Sequence, residues 1–363
     1  MECACCYCFL RIPVLILIFI FDSVSFSNHI QLAKKLTFRK LVNAFRVWIS
    51  YHVSRSQKKS SAKGFPISMA IEPTTSCNLR CPECPSGLRQ FTRPIGMLEP
   101  AFFKSTIDSV YKELIYLTFY FQGEPYLNPN FLEMVKYASD KGIYTSTSTN
   151  AHYLTKEQAK RTVESKLDRL IISIDGTTQE TYEQYRVGGQ LQKVIEGTKN
   201  IVAAKKEFKS STPHLVFQFL VVRPNEHQLD EVQKLAEELG VDEVVFKTAQ
   251  VYDFENGNPL IPTNETYSRY KKRADGTYAI KNKLLNQCWR MWSSCVVTWD
   301  GVVVPCCFDK DAKHQLGDLK QQTFKELWYS YKYQDFRQSI LRSRQEIDIC
   351  KNCSEGTKVW ADN

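Results

Sequence analysis

Cys77-Asn78-Leu79-Arg80-Cys81-Pro82-Glu83-Cys84 places three cysteines close together, directly after the strand-like run at 67–73. Their thiolates are soft ligands that suit iron–sulfur clusters. A 4Fe–4S cluster has four irons, so three cysteine ligands leave one iron open for a small molecule to chelate. The same three thiols would also suit a zinc knuckle, or could bind nothing.

The residues around these cysteines resemble the signature of the radical S-adenosylmethionine (radical SAM) superfamily, and residues 71–81 are similar to its usual lead-in. The resemblance implies a 4Fe–4S cluster on Cys77, Cys81 and Cys84, whose open iron holds the amino and carboxylate groups of SAM. One position departs from the pattern, because Glu83 stands where an aromatic residue usually packs near the adenine. We therefore expect the adenine contact to come from elsewhere.

The bulk composition is that of a globular protein with metal sites. The 363 residues suffice for one large domain and a small one, and 43% hydrophobic with 24% charged residues is ordinary. Thirteen cysteines are many, but none lies between residues 85 and 287, which argues against a disulfide framework. Clustered cysteines favour metal sites in a reducing compartment, so we predict a cytoplasmic protein.

Residues 1–63 are predicted to form an N-terminal segment and linker. The run at 12–21 is apolar throughout but too short to span a bilayer. Residues 30–63 hold nine Lys and Arg and no acid, which accounts for the whole formal charge of +9. The pattern at 30–54 predicts a basic amphipathic helix. It would either lie on an anionic membrane at the inner face or pack on the body with a solvated basic face, and we favour packing.

From residue 67 to about 248, strands and helices alternate, which predicts βαβ units and a parallel sheet. The predicted strands are 68–72, 115–121, 144–148, 169–174, 215–222 and 243–247. The helical patterns include 130–141, 156–165, 191–208 and 228–239. Together with the resemblance, this predicts an α/β fold, a partial (βα)6 TIM-like barrel at 64–260. Sites in such sheets lie at the carboxyl ends of the strands.

The motif Gln122-Gly123-Glu124-Pro125 follows the second predicted strand and resembles the Gly-Gly-Glu-Pro motif of the family, with Gln122 in place of the first glycine. Backbone carbonyls exposed by such a turn, with Glu124 beside them, can accept hydrogen bonds from the ammonium group of SAM. The resemblance therefore implies that Gly123, Glu124 and Pro125 bind this cofactor.

Later strand ends supply further positions that resemble SAM-facing residues of the family. Asn150 ends the third strand, and Ser173 is the better candidate for the ribose hydroxyls. Asp175 would do the same or would cap the next helix. Arg186 matches a position that pairs with the SAM carboxylate, although it could be a surface arginine. Gln218, in the fifth strand, would face inward to touch SAM or substrate, or would serve packing.

A second cysteine site is predicted near the C-terminus. After a predicted helix at 264–285, a hairpin around Asp300-Gly301 would hold Cys306 beside Cys288, and Cys350 and Cys353 form a Cys-x-x-Cys unit. Four thiolates complete the shell of a second cluster, with tetrahedral zinc as the rival.

The arrangement resembles the SPASM/twitch extension of radical SAM enzymes. The resemblance implies a small β-hairpin and helix domain at 261–363 that holds an auxiliary 4Fe–4S cluster. A full SPASM domain needs further cysteines, so we infer one auxiliary cluster. Cys295 and Cys307 are predicted to be buried thiols without a ligand role.

The family resemblance implies an enzyme. A reduced cluster donates an electron to SAM, and the resulting 5′-deoxyadenosyl radical abstracts hydrogen from a substrate. The auxiliary cluster then accepts an electron. We expect oxidation of a small alcohol or sugar-like molecule, with a peptide-modifying maturase as the alternative and a zinc-stabilised binding protein as the non-enzymatic one. The expected partner is a reducing donor such as flavodoxin or ferredoxin, and not nucleic acid. The sequence identifies no catalytic acid or base.

Overall fold

The computed structural model describes residues 26–353, with side chains from residue 30 onward. The apolar run at 12–21 and the four cysteines before it lie outside the described residues. Among the described residues, no helix combines the length and the apolar character needed to cross a membrane.

The central feature is one open sheet. Among the described residues it contains nine strands, in the order β11-β10-β9-β1-β2-β3-β4-β5-β6. Strands β1 to β6 are parallel, as the alternating pattern predicts. The strands are β1 Ser68–Ile71, β2 Tyr116–Thr118, β3 Tyr144–Thr149, β4 Arg169–Ser173, β5 His214–Val221, β6 Glu243–Thr248, β9 Ser294–Val297, β10 Val302–Val304 and β11 Gly317–Asp318.

Helices connect and cover these strands. The described helices are α1 Phe26–Lys34, α2 Phe38–Gln57, α3 Pro85–Leu88, α4 Pro100–Val110, α5 Phe131–Asp140, α6 Lys156–Glu164, α7 Gln179–Tyr185, α8 Leu191–Glu207, α9 Leu229–Leu239, α10 Arg290–Ser293, α11 Phe324–Trp328 and α12 Tyr331–Ser343. Short 3-10 turns lie at Pro125–Leu127, Glu265–Tyr267, Arg344–Glu346 and Asp348–Cys350. This is the α/β fold that the sequence predicts, a partial barrel followed by a C-terminal strand and helix region.

The two faces of the sheet differ in chemistry because side chains alternate along each strand. On β5, Leu215, Phe217 and Phe219 are buried in the main hydrophobic core, while Gln218 and Leu220 are only partly buried. The inner face of the barrel therefore carries polar groups that a ligand at the strand ends can meet.

The C-terminal region continues the barrel sheet. Strand β9 runs parallel to β1, and β10 folds back against β9. The Arg337 side chain lies between the rings of Trp328 and Tyr333 and donates from Nε to Met291 O over 2.9 Å. Trp328 donates from its indole nitrogen to Gly64 O over 2.9 Å, which ties this region to the start of the barrel.

The predicted helix at 264–285 is wrong. This segment forms an antiparallel hairpin of β7 Tyr270–Lys272 and β8 Tyr278–Ile280. The turn uses Asp275 and Gly276, the latter at φ +86°, a backbone conformation that glycine adopts readily. The buried Tyr270 ring stacks on Phe254 with centroids 4.5 Å apart, and this contact between distant segments favours the strand.

Candidate active site

The three cysteines of the first motif lie in a loop that follows β1, at the carboxyl end of the sheet. Arg80 N donates to Val187 O over 2.9 Å, which holds the loop against the end of α7. Burial raises the pKa of Cys77 to about 12. Burial also raises the pKa of Cys81, which Arg186 opposes. A metal ion that takes the place of the proton deprotonates such a thiol, so the donor set fits iron ligation.

Gly123 makes the tight turn after β2 possible. Its φ is +76°, and a Cβ atom here would lie 2.2 Å from Thr74 O and 2.8 Å from Ser76 O. Glu124 N donates to Ser76 O over 2.8 Å, so this turn packs directly on the backbone that leads into the cysteine loop. The next residue, Pro125, is buried and begins a 3-10 turn. Only glycine permits this approach without displacing the backbone.

The Glu124 carboxylate is buried and hydrogen bonded. Its oxygens accept from Thr149 Oγ1 over 2.7 Å, from Asn150 N over 2.8 Å and from Tyr126 N over 3.3 Å. Burial raises its pKa to about 7, although these donors oppose the rise. Asn150 also donates from Nδ2 to Asn78 Oδ1 over 2.8 Å. Glu124 and Asn150 therefore connect the end of β3 to the cysteine loop.

Asp175 and Arg186 form a buried ion pair beside the first cysteine site. Arg186 Nε bonds to Asp175 Oδ2, and Arg186 Nη1 lies 3.8 Å from Cys81 Sγ. Asp175 Oδ1 accepts from Leu220 N over 2.7 Å. Asp175 therefore does not cap α7, whose N-cap is Thr178. Its carboxylate orients the guanidinium toward the cysteine loop.

Ser173 and Gln218 occupy paired positions on β4 and β5. Ser173 Oγ lies 3.3 Å from Ser148 Oγ, which places two hydroxyls together at the carboxyl ends of β3 and β4. Gln218 O accepts from Ile174 N over 3.1 Å. The two side chains are therefore neighbours on the inner face of the barrel.

Three residues that sequence reasoning missed lie beside Glu83 and Cys84. Gln122, which replaces the first glycine of the family motif, places Oε1 3.9 Å from Cys84 Sγ. Tyr252 N donates to Glu83 Oε2 over 2.9 Å, so Glu83 positions an aromatic residue that is distant in sequence. Lys310 Nζ donates to the Tyr252 hydroxyl over 2.9 Å and lies 4.7 Å from the ring centroid. The unusual Glu83 was the one sequence signal for this contact.

The predicted auxiliary cysteines are grouped around a buried arginine that sequence reasoning also missed. Arg344 Nη2 donates to Cys353 Sγ over 3.0 Å. Burial alone would lower the pKa of Arg344, but the nearby thiols of Cys288, Cys353 and Cys350 raise it above its usual value. Cys353 N donates to Cys350 O over 3.0 Å within their tight turn. Burial raises the pKa of Cys350 to about 11, which Arg344 opposes.

Cys306 interacts electrostatically with other cysteines of this region. Burial raises its pKa well above the usual range, and Cys307, Cys288 and Cys353 add to the rise. Cys295, in contrast, lies in the hydrophobic core, where burial raises its pKa to about 12 and Arg337 opposes the rise. Cys307 is exposed. Cys288 and Cys353 therefore lie near enough to Cys306 to act on its charge, as Cys307 does, whereas Cys295 lies in the hydrophobic core.

In the part of the chain that the structure describes, no three His, Cys, Asp or Glu side chains are placed to hold one metal ion.

A cleft of about 910 Å³ is lined by residues that adjoin cysteines of both sites in the sequence. Its walls come from five segments: α3 after Cys84, the loop after β6, the β7–β8 hairpin, the loop after Cys307 and the Cys350 to Cys353 turn. Representative lining residues are Pro85, Tyr252, Tyr278, Lys310, Asp311 and Asn352. The walls combine aromatic rings with side chains of both charges.

Comparison with known proteins gives two matching family models. The model described as the radical SAM superfamily matches residues 71–239. The SPASM model, described as an iron-sulfur cluster-binding domain, matches residues 288–354. The two matches include both cysteine sites.

Similar proteins include the tungsten-containing aldehyde ferredoxin oxidoreductase cofactor-modifying protein of Pyrococcus furiosus, which is 26% identical in an alignment of 314 residues that covers 78% of this chain and 86% of that protein. The mycofactocin maturase MftC of Mycobacterium tuberculosis is 30% identical over 175 residues, 48% of this chain and 43% of the maturase. The crystal structure of BtrN in complex with AdoMet and 2-DOIA has a TM-score of 0.51 at 19% identity, covering 82% of this chain and 95% of BtrN. This last likeness is one of fold.

Proposed function

The chain belongs to the radical SAM superfamily and carries a C-terminal SPASM domain, and from this premise we propose that it removes hydrogen from a polar substrate held in the cleft between its two cysteine sites. The observation that carries the proposal is that the cleft borders both sites: Pro85 follows Cys84, and Asn352 lies between Cys350 and Cys353. A substrate there would be near SAM on one side and the auxiliary site on the other.

Cys77, Cys81 and Cys84 would hold the SAM-binding 4Fe–4S cluster, and we propose that Cys288, Cys306, Cys350 and Cys353 hold one auxiliary cluster. When bound, these groups supply the electron that cleaves SAM to methionine and a 5′-deoxyadenosyl radical, and an acceptor for the electron left on the substrate. The protein supplies ligands, orientation and exclusion of water.

The residues around the first site are suited to hold the methionine part of SAM. We propose that the Gly123 turn and Glu124 face its ammonium group, and that Arg186 faces its carboxylate. Arg186 is held in place by Asp175, which fixes one edge of the guanidinium and directs the other toward Cys81. Ser173, Gln218 and Asn150 would complete the cofactor contacts.

For the substrate we propose a small alcohol or sugar-like molecule. Tyr252 and Lys310 present a hydroxyl and an ammonium group at the cleft, held together by a 2.9 Å hydrogen bond. Donors of this kind suit an oxygen-rich molecule. The alternative is a peptide-modifying enzyme, which the similarity to mycofactocin maturase favours. A reduced flavodoxin or ferredoxin is the proposed electron donor, in the cytoplasm.

The test uses anaerobically reconstituted protein with SAM and a chemical reductant. Candidate polyols deuterated at their carbinol positions, and candidate peptides, are each supplied, and deuterium in 5′-deoxyadenosine is measured. We expect transfer from a polyol, strong loss of transfer in Lys310→Met, and little change in Lys325→Met, where the replaced side chain is exposed on α11. Deuterium transfer only from peptides would select the maturase. Loss of transfer equally in both variants, or SAM cleavage that persists without Cys77, Cys81 and Cys84, would contradict the proposal.

A further inference from the structure

Helix α2 carries an apolar stripe on its outward face. Phe38, Phe45, Ile49 and Val53 are 83%, 44%, 38% and 39% exposed. Their spacing of seven, four and four residues places them on one side of an α-helix. Isolated exposed apolar residues are common, but a continuous stripe with two aromatic rings marks an interaction surface.

The opposite face of α2 is already used for packing. Ala44, Val47 and Tyr51 belong to the main hydrophobic core. Asn43, on the same side, donates from Nδ2 to Phe65 O over 2.9 Å and accepts from Phe65 N over 2.8 Å. The helix therefore cannot rotate to bury its outward stripe in its own chain.

The surroundings of the stripe are strongly basic. Residues 30–63 contain nine Lys and Arg and no Asp or Glu. Arg46 and Arg55 are exposed on opposite flanks of the stripe, and Lys58 and Lys59 follow the end of the helix. Arg39 is paired with Glu113 from another segment. An apolar stripe flanked by cations is complementary to an anionic lipid surface, where rings enter the acyl boundary and cations meet headgroups.

Helices α1 and α2 cover the amino end of the barrel. Lys40 Nζ donates to Gly142 O over 2.6 Å, and Lys35 Nζ donates to Ile143 O over 3.1 Å, both just before β3. The Phe65 contacts of Asn43 lie just before β1. The cysteine loop and the cleft lie at the carboxyl ends of the strands. The stripe and the cleft are therefore at opposite ends of the sheet.

We propose that the outward face of α2 docks this enzyme on an anionic bilayer surface, with the cleft turned away from the lipid toward water. A second copy of the chain is disfavoured as the occupant because it would bring the exposed cations Arg46, Arg55, Lys58 and Lys59 of two copies against one another. The orientation implies that the substrate arrives from the aqueous phase.

The test uses full-length protein and vesicle flotation. Wild-type protein is mixed with vesicles of phosphatidylcholine containing roughly 30% phosphatidylglycerol, and with pure phosphatidylcholine. We expect binding to the anionic vesicles that salt reverses. The variant Phe38→Ser/Phe45→Ser/Ile49→Ser should bind about tenfold more weakly or worse. Ile95→Ser, which removes an apolar residue elsewhere that is 73% exposed, should bind as wild type does. Unchanged SAM cleavage shows that both variants fold.

Three results would overturn the proposal. The first is absence of wild-type binding to anionic vesicles. The second is binding that survives the triple variant but is lost when residues 1–25 are deleted, which would assign the contact to that segment. The third is a triple variant that changes a dimer to a monomer without changing vesicle binding, which would assign the stripe to a second copy.

The orientation of the protein on the bilayer can be measured separately. Brominated lipids quench tryptophans that enter the acyl region, so Phe45→Trp and Tyr252→Trp are compared with wild-type protein on vesicles. We expect additional quenching only in Phe45→Trp. Additional quenching in Tyr252→Trp would place the cleft against the membrane and would contradict the proposed orientation.

Discussion

Replacing Gly123 by alanine tests whether the turn after β2 shapes the SAM site. The added methyl group would lie 2.2 Å from Thr74 O and 2.8 Å from Ser76 O, while φ is +76°. The neighbouring atoms belong to the backbone of the lead-in to the cysteine loop and cannot rotate away as a side chain would. Either the turn or the lead-in must therefore move, and with it the 2.8 Å bond from Glu124 N to Ser76 O.

The magnitude follows from two separate costs. A residue with a Cβ in the left-handed conformation costs about 1–2 kcal/mol. Overpacking against a rigid neighbour adds about 1–3 kcal/mol. Gly142 provides a matched control, because its φ is +75° and an added Cβ would meet no atom within 4 Å. Gly142→Ala therefore incurs only the first cost, so the two variants should differ in the free energy of unfolding by about 1–3 kcal/mol.

The assay compares thermal unfolding midpoints and SAM affinity of the two variants after anaerobic purification. We expect Gly123→Ala to unfold several degrees below Gly142→Ala, and to bind SAM about tenfold more weakly because Glu124 is displaced. Gly142→Ala should bind SAM as wild type does. Equal midpoints together with equal SAM affinities would refute the idea that this contact shapes the site.

Three further predictions concern charge and ligation. Burial raises the pKa of Glu124 to about 7, so its carboxylate becomes negatively charged as pH rises. SAM affinity should therefore increase from about pH 6 to about pH 8. Titration calorimetry should show a weaker pH dependence of SAM affinity in Glu124→Gln. Cys353→Ala should lower bound iron from about eight to about four per chain, whereas Cys295→Ala should lower stability but leave iron unchanged by colorimetric assay. Arg186→Lys should weaken SAM binding by about 1–3 kcal/mol, and Arg161→Lys, at an exposed position of α6, should not; equal affinities would make Arg186 structural.

Much of the barrel could be predicted because its signals are local. An apolar run of strand length followed by a helical pattern specifies each βα unit without information from distant residues. The prediction of a helix at 264–285 was wrong because this segment is shaped by contacts with residues distant in sequence. Its strands are only three residues long, and Tyr270 is buried by Phe254 and by hydrogen bonds to Val251 and Asn352. These partners lie up to 82 residues away in sequence, so no local window contains the decisive contacts.

The candidate site divides in the same way. The cysteines and the Gly123 turn are compact motifs, so their positions can be found from spacing. Arg344 has no such motif, although it donates to Cys353, because a buried arginine in a helical stretch resembles any surface arginine in sequence. The pairing of β9 with β1 is also non-local, since Met69 and Cys295 are partners in the register. No pattern within either segment specifies that pairing.

Glu83 shows how a departure from a family pattern can carry structural information. The carboxylate at this position accepts from Tyr252 N, and the Tyr252 hydroxyl accepts from Lys310, three residues after Cys307. With glutamate in place of an aromatic residue at position 83, two hydrogen bonds join the first cysteine loop to the loop after β6, and that loop to the segment beside the auxiliary cysteines. This connection forms one wall of the cleft. Residue 83 consequently links the part of the protein that would bind SAM to the part that would bind substrate. A carboxylate suits this position because it can accept the hydrogen bond from Tyr252 N.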